Sequence, residues 1–180
     1  DPESERFYQF ARHLFTKHER KLFLNLKDKA DRQRFISQFW DIRDPDPSTE
    51  ENEFRFEMED RFKYVEKYFR EGPIKGWNTD RGRIYILMGA PTSMDTDFNV
   101  RGSIGNDFVT SVIRWYYAES NIFVMFIEKR NSNSYKLDLR SASLHFLDEL
   151  ERKKFFINPR DKRGELIPLK FDLKLETETK

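Results

Sequence analysis

Apolar positions recur with a helical period through the first 70 residues and with a strand-like period beyond them. Phe7, Phe10, Ala11, Leu14 and Phe15 fall at i, i+3, i+4, i+7 and i+8 behind Ser4, a helix stripe with a capping residue in front. Thr16-Lys17-His18-Glu19 has the spacing of a capping box, and Leu22, Phe23 and Leu26 follow it as the face of a second helix. A third helix begins at Asp28 or Asp31 and carries Phe35, Ile36, Phe39 and Trp40. Asp44-Pro45-Asp46-Pro47 ends it, since a residue before proline avoids the α region. A fourth helix, capped by Ser48 or Thr49, stacks Phe54, Met58, Phe62, Val65 and Phe69, and Gly72-Pro73 closes it.

Beyond Gly82 the period shortens. Arg83 to Met88 reads as a short buried strand stopped by Gly89 and Pro91. Residues 92–110 carry Asp, Asn, Ser, Thr and Gly without a period and read as a long loop. Val112–Tyr117, Ile122–Ile127 and Tyr135–Leu139 read as strands, joined at Ser120-Asn121 and Asn131-Ser132-Asn133 into an antiparallel meander. Ser141 or Ser143 caps a last helix with Leu144, Leu147 and Leu150 on one side. The alternation from Leu166 to Leu175 predicts a terminal strand. The expected fold is α+β: about four N-terminal helices packed on a small, mainly antiparallel sheet, then a helix and a strand. Residues 1–140 form the domain and 141–180 an extension that packs on it or on a partner.

Composition narrows the functional classes. The 180 residues include 18 Phe, 7 Tyr and 3 Trp, enough aromatic area to build a core. The absence of Cys excludes disulfides, thiol catalysis and Cys-ligated metals. His13, His18 and His145 stand far apart without metal spacing, so neither metal nor cofactor is expected. A net charge of +1 argues against a nucleic-acid binder. That neutrality is uneven. Residues 1–43 hold ten basic and seven acidic side chains, 44–60 one basic and eight acidic, and 61–89 seven basic and three acidic. The acidic block either sits at the start of the fourth helix, where the macrodipole favours it, or pairs with the segment around Arg81 and Arg83. No apolar run approaches a bilayer-spanning length, so membrane attachment would need a segment outside this chain. Opening on Asp1-Pro2, the sequence reads as an excised or processed piece.

The most specific stretch is Gly76-Trp77-Asn78-Thr79-Asp80, continued by Arg81-Gly82-Arg83 and ending at Gly89-Ala90-Pro91. It resembles the signature of the GWxTD domain family. Phe39-Trp40, Arg43-Asp44-Pro45 and Asn52-Glu53 match the segment that precedes that signature. Trp115-Tyr116-Tyr117 with Phe123 to Phe126 resembles its later strand pair. Thr92 and Ala90 depart from the family pattern, which carries an acid and a proline there. The resemblance implies a bacterial, extracytoplasmic protein of the periplasm or cell envelope and supplies no catalytic residues.

Two physical readings of the motif stand side by side. In one, Trp40, Asp44, Glu53, Gly76 and Gly89 belong to a structural staple, with Thr79 and Asp80 bonding backbone N–H groups. Arg81 and Arg83 then pair with Asp44, Glu53 or Glu57. In the other, Trp77, Thr79, Asp80, Arg81, Arg83, Arg43 and Tyr116 line a groove for an anionic or peptide ligand. The expected function is a non-enzymatic interaction or scaffold module with a protein partner. The rival is a hydrolase using acids of the 92–110 loop, Asp95 and Asp97 foremost.

Overall fold

A computed structural model of the chain describes residues 1–100, 102–104 and 107–154. The sequence-predicted strand at 166–175 lies outside them. The described chain divides into two compact units, Asp1–Glu57 and Met58–Lys154. The fold is α+β.

The first unit is a helical cluster around phenylalanine. Helix α1 spans Pro2–Ala11, α2 Lys17–Asn25 and α3 Lys29–Asp41, and α4 (Glu53–Tyr68) begins within it. The Thr16 capping box forms as its spacing predicts. Glu19 N–H donates to Thr16 Oγ1 at 3.1 Å, and Thr16 N–H donates to Glu19 Oε2 at 2.8 Å. Asp28 caps α3, its Oδ1 accepting from Ala30 N–H at 2.7 Å. Two predicted caps move. Asp1 stands at the start of α1, and Ser4 lies inside the helix, where its hydroxyl donates to Asp1. Asn52, rather than Ser48 or Thr49, precedes α4 and accepts from Arg55 N–H at 2.9 Å. Ser48 and Thr49 are instead engaged with Asp46 in the preceding turn. Phe7, Phe15, Phe23, Phe35 and Phe39 are buried, with Trp40 against Phe7 and Phe39. Ring centroids of Phe7 lie 5.2 Å from Phe39 and 5.5 Å from Phe23, within the range of favourable edge and tilted contacts.

The second unit is an antiparallel sheet with helices on one face. Its strands are β1 (Ser93–Asp97), β2 (Gly102–Ile104), β3 (Asp107–Tyr117), β4 (Ile122–Lys129) and β5 (Tyr135–Leu137). The order is β1-β3-β4-β5, and β2 pairs with β3 on the same side as β1. Asn121, Arg130, Asn131 and Asn133 adopt positive φ in the hairpin turns, where Asn tolerates the left-handed region. Trp115, Val124 and Phe126 are fully buried, with Phe69, the residue after α4, and Tyr85 packed against Trp115. The opposite face has a smaller core of Val109, Val112 and Ile127, covered by Val100 and Met125.

Two sequence expectations are overturned here. Arg83–Met88 is not a strand but the body of α5 (Asp80–Met88). Ile84, Ile86, Leu87 and Met88 are all buried, so the helix shows no polar stripe and mimics a buried strand. Residues 92–110 are not one loop: they hold β1, β2 and the start of β3. Their polar side chains suit an edge strand, which leaves no hydrophobic alternation to read. The last helix, α6 (Phe146–Lys154), forms, but it buries Phe146 and leaves Leu144 and Leu147 exposed. Ser143 does not cap it through its side chain, since Ser143 Oγ accepts from Phe123 N–H at 2.9 Å.

Candidate functional site

The Gly76–Gly82 stretch makes a tight crossing between α4 and α5, and each position has a physical task. Gly76-Trp77-Asn78 forms one 3-10 turn. A Cβ at Gly76 would stand 1.8 Å from Val65 O, and one at Gly82 would stand 1.9 Å from Gly76 O. Both glycines therefore serve close backbone approach rather than an unusual φ. Trp77 is buried and stacks on Phe62 of α4, centroids 6.0 Å apart at 17°.

Thr79 caps α5. Its buried hydroxyl donates to Gly76 O at 2.8 Å and accepts from Gly82 N–H at 3.0 Å, tying the turn to the helix it starts. At the far end, Gly89 takes φ +78° and Arg61 Nη1 donates to Ile86 O at 2.9 Å. That places a cation on the helix C-terminal carbonyls. Gly89 O in turn accepts from the Tyr117 hydroxyl at 3.0 Å, and burial raises that phenol well above its ordinary pKa. Thr79→Ala should cost about 1–2 kcal/mol, the range for a lost N-cap, and Thr79→Ser should recover most of it in denaturant melts.

The carboxylates reach the sheet. Asp80 Oδ2 accepts from Leu137 N–H at 2.8 Å, and its other oxygen pairs with Arg83. Glu71, which follows α4, accepts from Tyr135 N–H at 3.1 Å through Oε1 and from Ser134 Oγ at 2.8 Å through Oε2. Successive N–H groups of a strand point to opposite sides. Tyr135 and Leu137 therefore turn theirs to the outer side of β5, and two carboxylates occupy them. Arg81 bonds Glu71 Oε1 at 3.2 Å and lies between the Tyr135 ring, 4.6 Å away, and the Phe69 ring, 5.1 Å away. Its Nε has no hydrogen-bond partner among the described residues.

These contacts correct the expected pairing. Arg81 goes to Glu71 and Arg83 to Asp80, not to Asp44, Glu53 or Glu57. Asp44 Oδ1 accepts from Asp46 N–H, and Glu53 Oε1 accepts from the Thr49 hydroxyl. Glu71 was invisible as a site residue, yet it carried a signal. An acid just past a helix C-terminus meets an unfavourable macrodipole and needs a cation or donors from elsewhere. Glu71→Ala should cost about 2–3 kcal/mol, as for a hydrogen-bonded charged group, and should speed hydrogen exchange at the Tyr135 amide.

Asp80 and Arg81 thus reach the β5 side of the sheet, with Arg83 paired to Asp80, while Thr79 and Trp77 hold the adjoining turn against α5 and α4. Tyr116 is not with them. It neighbours Trp115 in β3 and so projects from the other face, where its hydroxyl donates to Asn121 Oδ1 at 3.2 Å. Arg43 belongs to the first unit and is 0% exposed. Its Nη2 donates to Glu19 at 2.8 and 2.9 Å, Nη1 donates to Phe39 O, and the group lies 3.9 Å over the Phe39 ring. Burial lowers the Arg43 pKa while Glu19 opposes the shift. Trp40 O accepts from Asn52 Nδ2 at 2.8 Å.

Asp95 and Asp97 lie on β1. Arg114 Nη1 donates to Asp95 Oδ2 at 2.8 Å across the strands, and Asp97 Oδ1 accepts from Asn99 N–H. Among the described residues no cluster of three or more His, Asp or Glu side chains is placed to hold a metal ion, and no helix is long and apolar enough to cross a membrane. Comparison with family models, curated proteins and solved structures finds no match for this chain. The likeness to the GWxTD signature therefore rests on the quoted residues alone.

Proposed function

We propose that this chain is a non-enzymatic protein-interaction or scaffold module, and that it works in the bacterial cell envelope. The observation that carries the first part is how the signature spends its chemistry. Thr79 and Asp80 are committed to backbone groups of the same unit, and Arg81 to Glu71. Groups used this way hold a rigid scaffold and leave the surface around it to do the recognising. The envelope location follows only from the resemblance to the GWxTD family.

The test is gentle extraction of the tagged native protein from bacterial envelopes, followed by mass spectrometry and a stoichiometry measurement. A stoichiometric protein partner is the expected result. Recovery of the chain alone would remove the proposal. The rival reading, a hydrolase acting through Asp95 and Asp97, predicts turnover of cell-wall glycans or peptides that Asp97→Asn abolishes. The cross-strand pairing of Asp95 with Arg114 and the turn contact of Asp97 favour the module over that reading.

A further inference from the structure

The sheet has two edges, and the fold treats them in opposite ways. At β5 the outward Tyr135 and Leu137 N–H groups are occupied by Glu71 and Asp80. At the other side β1 and β2 follow one another along β3, with no strand beyond them among the described residues. The large apolar side chains that this sheet leaves exposed gather there. Met94 is on β1 and Phe98 just after it, the latter 70% exposed. Phe108 and Tyr116 sit on β3 opposite Ser103 of β2 and Ser93 of β1.

We infer that the β1 edge is the recognition surface of this module and receives, by strand addition, an extended segment of a partner protein in which apolar residues alternate with lysine or arginine. The inference rests on the interaction-module reading. The alternation comes from the strand's period. Asp95 and Asp97 are two residues apart and share one face with Arg114 and Val112, their partners in β3. Met94 lies on the other face with Trp115. A strand laid beside β1 places its own alternate side chains against these two sets: cations beside the aspartates, apolar groups beside Met94. Asp95 keeps 70% of its side chain accessible despite Arg114, so it remains open to a second cation. A second copy of the chain fits less well, because antiparallel pairing of two β1 strands about a twofold axis brings their aspartates together.

The test measures binding of labelled heptapeptides to the full chain by fluorescence anisotropy. One alternates lysine with valine, one alternates glutamate with valine, and one has the lysine composition scrambled. The lysine–valine peptide is expected to bind at least tenfold more tightly than either other, to weaken as salt rises, and to slow hydrogen exchange at amides of residues 93–97. The double change Asp95→Lys and Asp97→Lys should reverse the preference toward the glutamate peptide, with its melting curve as the folding check. Equal affinity for all three peptides, no binding, or protection confined to other elements would overturn the inference, and these arms use only the unaltered protein. A concentration-dependent dimer with protected β1 amides would assign the edge to a second copy and overturn it as well. A stoichiometric partner recovered from envelopes that leaves the β1 amides exchanging at their free rate would defeat this inference while the module reading stands.

Discussion

Gly76→Ala is expected to destabilise the second unit by at least about 3 kcal/mol, the upper range for forcing extra volume into a packed site. The added methyl would stand 1.8 Å from Val65 O and 2.5 Å from Val65 C, both main-chain atoms of α4 that no rotamer change can move aside. Relief requires the Gly76–Asn78 turn to lift from the helix. That would draw Trp77 off Phe62 and disturb the Gly76 carbonyl that Thr79 bonds. For a chain of this size the loss corresponds to a fall in melting temperature of roughly 6–12 °C. Two controls separate space from backbone conformation. Gly102→Ala, with nothing within 4 Å of the new atom and no positive φ, should leave the melt unchanged. Gly72→Ala is equally open but sits at φ +58°, so it should cost only about 1–2 kcal/mol, the left-handed penalty for a residue with a Cβ. A Gly76→Ala protein that melts with the wild type would refute the close-approach account of the signature's first glycine.

Glu19→Ala is expected to cost about 4–6 kcal/mol in the first unit, because one carboxylate performs two tasks. It closes the capping box on Thr16 N–H at 2.8 Å and it neutralises Arg43, whose side chain is wholly inaccessible. Leaving a buried guanidinium unpaired accounts for about 3–5 kcal/mol, and the lost cap for about 1 more. The measurement is a pair of denaturation curves, with Glu19→Gln as the second variant. The amide keeps an oxygen for the Thr16 N–H and loses the charge, so its deficit isolates the ion pair. Arg43→Met in the Glu19→Gln background should recover part of the loss, since an apolar replacement of a buried pair is often close to neutral. If Glu19→Ala lost no more than about 1 kcal/mol, only the cap would matter and the pair would contribute nothing.

These two sites also show what can be read from a sequence and why. The box at Thr16 and Glu19 is legible because its atoms are three residues apart and the helix supplies the geometry. The Phe7, Phe15, Phe23, Phe35 and Phe39 positions are legible for the same local reason, as apolar residues at helical spacing. Their meeting in one cluster follows from burial. Ile84 to Met88 reads as a strand because an apolar helix buried on most sides presents a strand-like run. The signals of a helix flank that run, in the Thr79 cap and Gly89. Residues 92–110 read as a loop for the complementary reason: Ser93 and Asp95 are polar and exposed, so β1 shows no alternation although it pairs in register with β3.

For the candidate site the division is sharper. By itself the sequence marked the stretch from Gly76 to Gly82 as specific and offered, as one of two readings, that Thr79 and Asp80 bond main-chain N–H groups. It left open which groups they meet. The tertiary structure alone decided that Asp80 reaches Leu137 across 57 residues, that Glu71 reaches Tyr135 across 64, and that both close one side of the sheet. It also decided that Tyr116 projects from the other face of the sheet, and that Arg43 is buried against Glu19 in the first unit. The physical reason is that a cap or a turn is written in neighbours whose geometry the backbone fixes. A bond between a helix terminus and a strand edge depends instead on how the chain between them folds, and no local pattern records it.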